Sequence, residues 1–152
     1  MLTTPTDVRM TEFTLYLSSR DSMHLYQQNT PSECQIQLPK SYQLEGSWTC
    51  ALIDLSLECD FSPRSKRLYL CCDLVEESYV RDTLAPVLRN IEVNSRYKKL
   101  KTELFTLPLY VPIKTRHLHS LKLEVLDENL KPVVFKTNDL HCVIHFKQTW
   151  VP

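Results

Sequence analysis

Histidines are the side chains in this chain whose type and spacing first suggest metal chemistry. One residue separates His117 from His119, and three residues separate His141 from His145, so each pair would lie on one face of a strand. A protein metal site needs further ligands and hydrogen-bonded groups that orient them, and no additional ligand follows at a recognisable spacing. We therefore interpret these histidines as surface or packing residues, and we predict no metal and no other cofactor.

Carboxylates and glycines are further residue types from which an active site could be built. Asp54 and Glu58 could form an acid–base pair, but no nucleophile or oxyanion-binding glycine accompanies them. Gly46 is the only glycine in the chain, which excludes the glycine-rich loops that cradle phosphates or dinucleotides. The sequence therefore predicts a protein that is not an enzyme.

None of the six cysteines is spaced as a C-x-x-C pair. Cys34, Cys50 and Cys142 lie in apolar strand patterns, where a free thiol behaves as a small hydrophobic side chain. The chain shows neither a charged-then-apolar start nor an apolar run of about eighteen residues, so we expect no secretory signal and no membrane span. In that setting we predict that the cysteines are reduced and form no disulfide.

Charge limits the partners that the protein could bind. The 18 basic and 18 acidic residues give a formal net charge of zero, which argues against a nucleic-acid-binding field over the whole domain. The densest basic run comprises Arg96, Lys98, Lys99 and Lys101. We interpret this run as a solvated loop, and contact with an acidic partner or with packaged nucleic acid is the alternative. Direct nucleic-acid binding is not expected.

The elements that would position these residues are organised around the stretch that follows Gly46. Trp48, Cys50 and Leu52 alternate on one face of a predicted strand whose two faces are both largely apolar, as expected for a central strand. Asp54 interrupts that face, so we predict either a β-bulge or a satisfied polar contact there.

Seven further short β-type runs surround this central strand, and no long segment has helical periodicity. The second is expected to stop at Pro39 and the sixth to be broken by Pro108, while residues 75–86 form a connection with a helical turn. The predicted strands are 13–17, 34–38, 48–57, 67–74, 88–93, 104–111, 121–125 and 140–150.

This pattern predicts an all-β fold, and the strand count predicts a single eight-stranded jelly-roll β-sandwich. In strand numbers, the expected sheet orders are 1-8-3-6 and 2-7-4-5. Residues 1–10 are polar and are predicted to form a flexible N-terminal arm, and residues 11–152 form the jelly-roll domain.

Three ordered blocks carry a family resemblance. They are Phe13-x-Leu15-x-Leu17-Ser18-Ser19 with Tyr26-x-x-Asn29-Thr30-Pro31; Leu38-Pro39 with Leu44-x-Gly46-x-Trp48-x-x-Ala51-Leu52; and Leu121-x-Leu123-x-Val125-x-Asp127 with Pro132-Val133-x-Phe135 and His145-Phe146. In order and spacing, over roughly residues 12–150, they resemble the penton-type minor capsid protein of Polinton/Maverick elements and the related adintoviruses.

The resemblance implies a single jelly roll that forms homopentamers at the vertices of an icosahedral shell and contacts the major capsid protein. It also implies a location in the virion, with synthesis in the host cytoplasm and assembly in the nucleus. Tyr16, Tyr69 and Tyr110 are the expected interface residues, because tyrosine buries area while keeping a polar tip. The alternatives are a minor cement or spike-base jelly roll and a cellular β-sandwich that binds protein or lipid.

Overall fold

A computed structural model describes residues 10–57, 67–92, 101–133 and 139–150, with the backbone alone for 101–103. The described residues are all-β and contain no helix. Several residues named above lie outside the described ranges: residues 1–9 of the predicted arm, Glu58, Cys59, Phe135 and the basic residues Arg96, Lys98 and Lys99. The strands are β1 (Glu12–Ser18), β2 (Glu33–Gln43), β3 (Ser47–Leu57), β4 (Arg67–Cys72), β5 (Ser78–Val80), β6 (Thr83–Ala85), β7 (Val87–Glu92), β8 (Lys101–Leu104), β9 (Val111–Pro112), β10 (His117–Leu126) and β11 (His141–Trp150).

Two antiparallel sheets share one hydrophobic core. The first sheet has the strand order β1-β11-β3-β8, with β9 also paired to β3, and the second has the order β2-β10-β4-β7. The first strand therefore lies beside the last, as the sequence predicts, and both sheet orders agree with the expected ones when β8 and β9 together count as the sixth strand. Buried residues from both sheets form a single core cluster, which is the arrangement of a β-sandwich.

The central strand β3 contains the predicted bulge. Val143 pairs with Asp54 and the next residue of β11, Ile144, pairs with Leu52, so Ile53 is the extra residue. The bulge changes which residues face the core: Cys50 and Leu52 point inward before it, and Leu55 points inward after it. Asp54 is thereby moved off the apolar face, which is why an acidic residue is tolerated in this strand.

The predicted sixth strand consists of two short pieces on one edge of β3. β8 pairs with Asp54–Leu57 and β9 pairs with Thr49 and Cys50, and the residues between the two strands leave the ladder around Pro108. A proline has no backbone N–H to donate, so it is accommodated at a sheet edge where the ladder is interrupted.

Three sequence-based expectations are corrected by the structure. The described chain has eleven strands and not eight, because the sixth is divided and a β5–β6 hairpin replaces the expected connection with a helical turn. β2 does not stop at Pro39: the four residues 38–41 lie opposite the single residue His119, where the ladder is irregular, and pairing with β10 resumes at Tyr42. Pro39 thus lies at an irregular part of an edge strand, where its missing N–H costs no ladder hydrogen bond.

Stacked aromatic rings close the sandwich where β1 and β2 lie over one another. The Phe13 ring stacks on Tyr42 of β2 with centroids 4.3 Å apart and on Phe146 of β11 at 4.6 Å. Trp48 packs against Phe13 at 5.6 Å, and its Nε1 donates a hydrogen bond to the carbonyl of Glu45. These contacts connect both sheets and hold β1 in place as the outer strand of the first sheet.

Candidate functional site

Tyr16 is the most exposed of the three tyrosines expected at an interface. It lies on the outer face of β1, and 78% of its surface is accessible to solvent. β1 is an edge strand paired only with β11, where Tyr16 lies opposite Val143. The ring is therefore open to a partner from the side and from above, as an interface residue should be.

Tyr110 is half-buried and makes several intramolecular contacts. Its hydroxyl is 2.9 Å from Nδ1 of His145, and the Nζ atom of Lys147 lies 3.8 Å from the centre of its ring. Nε2 of the same histidine is 3.5 Å from Oε2 of Glu12 on β1. Tyr110 thus holds the segment between β8 and β9 against the outer face of the first sheet, so part of its ring is already covered within the chain.

Tyr69 lies on the other sheet. It is a half-buried residue on the outer face of β4, paired with Asn90 and Leu126 in the neighbouring strands. Tyr16 and Tyr110 share the outer face of the first sheet, whereas Tyr69 is on the opposite side of the sandwich. The three tyrosines therefore do not form one contact surface, because alternation along a strand predicts a face but not which sheet the strand joins.

The basic run cannot be placed as a unit. Arg96, Lys98 and Lys99 lie outside the described residues, and Lys101 is the first residue of β8, where only the backbone is described. A role for this run in binding an acidic partner or packaged nucleic acid stays a prediction.

Exposed leucines form a surface that sequence reasoning missed. Leu104, Leu107 and Leu109 are 67%, 78% and 58% exposed, and we call these three residues the leucine patch. Their segment is anchored by Phe105, which is buried, and by Arg89 of β7, whose guanidinium lies 4.2 Å from the centre of the Phe105 ring and donates to the carbonyl of Leu107 at 3.0 Å. The signal available in the sequence was the run of apolar residues around Pro108, which we interpreted as a broken strand.

The β5–β6 hairpin presents a second group of exposed apolar side chains. Tyr79 and Leu84 lie opposite one another in the hairpin and are 73% and 62% exposed. The turn residues Arg81 and Asp82 both have positive φ, 44° and 65°, and the Tyr79 hydroxyl donates to Asp82 at 2.6 Å. No Asn-Gly or Asp-Gly pair marks this turn, so the usual sequence signal for such a hairpin is missing.

The histidines and carboxylates of the described segments do not come together as a metal-binding group, and the candidate pair of Asp54 with Glu58 cannot be placed because Glu58 lies outside those segments. No set of three or more His, Cys, Asp or Glu side chains there is arranged to hold a metal ion. His145 is engaged by Tyr110 and Glu12, and His117 and His119 are exposed on β10. Asp54 has one buried carboxylate oxygen, Oδ1, with no hydrogen-bond partner among the described residues, in a shallow cavity of about 250 Å³ on the outer face of the first sheet.

The cysteines of the described segments are free and buried, and burial suppresses their reactivity. Desolvation raises the pKa of Cys34 to about 11 and the pKa of Cys50 and Cys71 to about 12, and it raises the pKa of Cys72 and Cys142 as well. These thiols are protonated at neutral pH, and a thiol is a far weaker nucleophile or metal ligand than a thiolate. Cys72 belongs to the core cluster and Cys71 does not, as expected for successive residues of one strand.

A larger open cavity of about 600 Å³ lies beside β2. It is formed by residues 25–30 together with Glu33, Cys34, Gln35 and Lys122. Lys122 is held at its border by Glu33 at 2.9 Å and by Glu124 at 3.4 Å. Polar side chains make up most of this wall, so the cavity is better suited to a polar group than to a lipid chain.

Comparison with known proteins assigns no family: no protein-family model matches the chain, and no curated protein matches it. The described segments contain no helix with the length and apolar character needed for a transmembrane span.

Proposed function

We propose that this protein is a structural viral capsid subunit, a penton or vertex protein built as a single jelly roll and assembled as a homopentamer. The observation that carries the proposal is the sheet order, β1-β11-β3-β8 facing β2-β10-β4-β7. The first strand lies beside the last and the chain passes repeatedly between the two sheets, and this order supports the Greek-key connections of a jelly roll. Within this proposal, the β5–β6 hairpin is an addition to the eight strands, and β8 and β9 are one interrupted strand.

Function does not follow from fold, so the capsid part of the proposal rests on the resemblance described above. Features of the surface support association in general. Exposed apolar groups lie on the edge strand β1 and on the leucine patch, and a net charge of zero adds little self-repulsion when copies pack together. The partners in this proposal are further copies of the chain and the major capsid protein, and the location is the vertex of a virion assembled in the nucleus.

A cellular β-sandwich that binds another protein is the second candidate. The open cavity beside β2, about 600 Å³ in volume and lined mostly by polar side chains, favours it, because it offers a polar recess for a side chain of a bound protein. The same polarity argues against the lipid-binding form of this alternative. A module of this kind would be expected as a monomer or a trimer.

Light scattering coupled to size exclusion separates the candidates. Five copies of a 17.9-kDa chain would have a mass of about 90 kDa, three copies about 54 kDa. A mass near 90 kDa supports the vertex subunit, whereas a chain that stays at 17.9 kDa at high concentration would favour the binding module and overturn the proposal.

A further inference from the structure

The edge of β2 is covered by side chains of the same chain. Asn29 Nδ2 donates to the carbonyl of Gln35 at 2.7 Å, and its Oδ1 accepts from the N–H of Gln35 at 2.9 Å. Ser22 Oγ accepts from the N–H of Gln37 at 2.9 Å and donates to its carbonyl at 3.3 Å. These two side chains occupy the positions that an added strand would use, so this edge is closed to strand pairing.

The edge of β1 is built differently. The N–H of Ser19 donates to the carbonyl of Leu140, and the N–H of Gln148 donates to the carbonyl of Thr11. The backbone groups of the odd-numbered residues of β1 are therefore directed toward β11, and those of the even-numbered residues point to the free edge. Asp21 accepts from the N–H of Ser18 at the end of the strand. No other described strand lies beyond β1. Within the described ranges, no strand pairs with the backbone of Glu12, Thr14 and Tyr16 on this side, and we call these three residues the β1 edge.

The leucine patch lies at the opposite edge of the same sheet. β8 and β9 both border β3, so two strands, β11 and β3, separate the patch from β1. Arg89 holds the Phe105 ring and the Leu107 carbonyl, which fixes the patch in the isolated chain. One chain therefore carries two unlike exposed surfaces at opposite edges of one sheet.

We propose that the β1 edge of one copy packs against the leucine patch of the next copy. The two surfaces are complementary: Tyr16 supplies an exposed ring for the leucines, and the Glu12 carboxylate, whose side chain is 68% exposed, supplies the charge opposite to that of Arg89. Tyrosine and leucine side chains bury apolar area in such a contact. Contacts between unlike surfaces repeat with one handedness and generate a ring when the rotation closes.

This inference rests on the proposed function, because it names the surfaces through which the vertex ring would close. It is tested with two variants at exposed positions, Tyr16→Asp and Leu107→Asp. Leu84→Asp on the β5–β6 hairpin is the matched control. All three introduce a carboxylate at an exposed position (78%, 78% and 62%), so each should fold.

Each of the first two variants is expected to be a monomer at a concentration at which the wild-type chain is fully assembled, while Leu84→Asp assembles normally. A mixture of the two monomeric variants contains one intact pair of surfaces, Tyr16 from one variant and Leu107 from the other. At about tenfold higher concentration, because a single contact lacks the reinforcement of a closed ring, the mixture should form dimers of about 36 kDa, twice 17.9 kDa, and nothing larger. Sedimentation velocity reads all of these masses.

The outcomes separate this inference from the proposal it rests on. A wild-type chain that never assembles overturns the vertex function itself. If both Tyr16→Asp and Leu107→Asp assemble into the same ring as the wild type, the assignment of these surfaces is wrong, while the proposed vertex function is not affected. Loss of assembly in Tyr16→Asp alone would mean that the leucine patch is not the surface that the β1 edge contacts, and this also overturns the inference.

Discussion

Replacing Trp48 by alanine should destabilise the fold strongly, because this side chain is only 5% exposed and packs against Phe13, whose ring stacks on Tyr42 of the opposite sheet. An aromatic side chain of this size buries roughly 150–250 Å², which at about 25 cal/mol per Å² is about 4–6 kcal/mol and is an upper bound. The methyl group that remains and relaxation around the cavity reduce this value, so we expect a loss of about 3–5 kcal/mol in the free energy of unfolding.

The hydrogen bond of the indole adds little to this loss. The carbonyl of Glu45 accepts from Trp48 Nε1 at 2.8 Å and also from Gln148 Nε2 at 2.7 Å, so it keeps a partner when the indole is removed. Trp48→Phe retains a ring against Phe13 and should therefore cost only about 1–2 kcal/mol.

Urea unfolding followed by far-UV circular dichroism measures these differences, at one protein concentration for all variants because assembly adds stability by mass action. Trp150 provides the matched control: it is the other tryptophan of the chain and is 61% exposed. Trp150→Ala should change the free energy of unfolding by less than about 0.5 kcal/mol. A loss under about 1 kcal/mol for Trp48→Ala would contradict the position given to this side chain between the sheets.

Three further predictions follow from individual contacts. Asn29→Ala removes both hydrogen bonds to the backbone of Gln35 and should lower the free energy of unfolding by about 1–2 kcal/mol. It should also increase concentration-dependent aggregation, measured by light scattering, whereas Gln28→Ala at the exposed neighbouring position should have neither effect. Gly46→Ala should cost about 1 kcal/mol in urea unfolding, because Gly46 has a φ of 79° that a Cβ atom disfavours; an unchanged midpoint would contradict that geometry. Burial raises the pKa of Cys50 from its ordinary 9.0 to about 12, so the stability that its protonated thiol contributes to the folded state is complete below about pH 9 and is lost as the pH rises toward 12. The thermal midpoint of the wild type should therefore fall more steeply above pH 9 than that of Cys50→Ala. Equal slopes would refute this.

Much of the fold could be predicted from alternation, because a strand with one buried face specifies which residues point inward. Leu121, Leu123 and Val125 alternate along β10 and all face the core. Of the two alternatives expected at Asp54, a β-bulge or a satisfied polar contact, the bulge in β3 is the one found. The sheet orders followed from assigning a jelly roll, so they depended on the whole set of strands and not on any single motif.

The remaining features could not be predicted, for identifiable physical reasons. The β5–β6 hairpin turns through Arg81 and Asp82, two residues that adopt positive φ without the glycine that usually marks such a turn. Pro39 does not end β2, because an edge strand can absorb a proline in a bulge. Whether a tyrosine is free or engaged depends on residues far away in the chain, and the contact of Tyr110 with His145 spans 35 positions.

Electron microscopy of the purified wild-type chain is the decisive test of the vertex function, since it counts subunits and shows their arrangement at once. We expect closed rings with fivefold symmetry, in which neighbouring sandwiches meet edge to edge. Particles of the size of one 17.9-kDa chain, or rings with a different number of subunits, would contradict it.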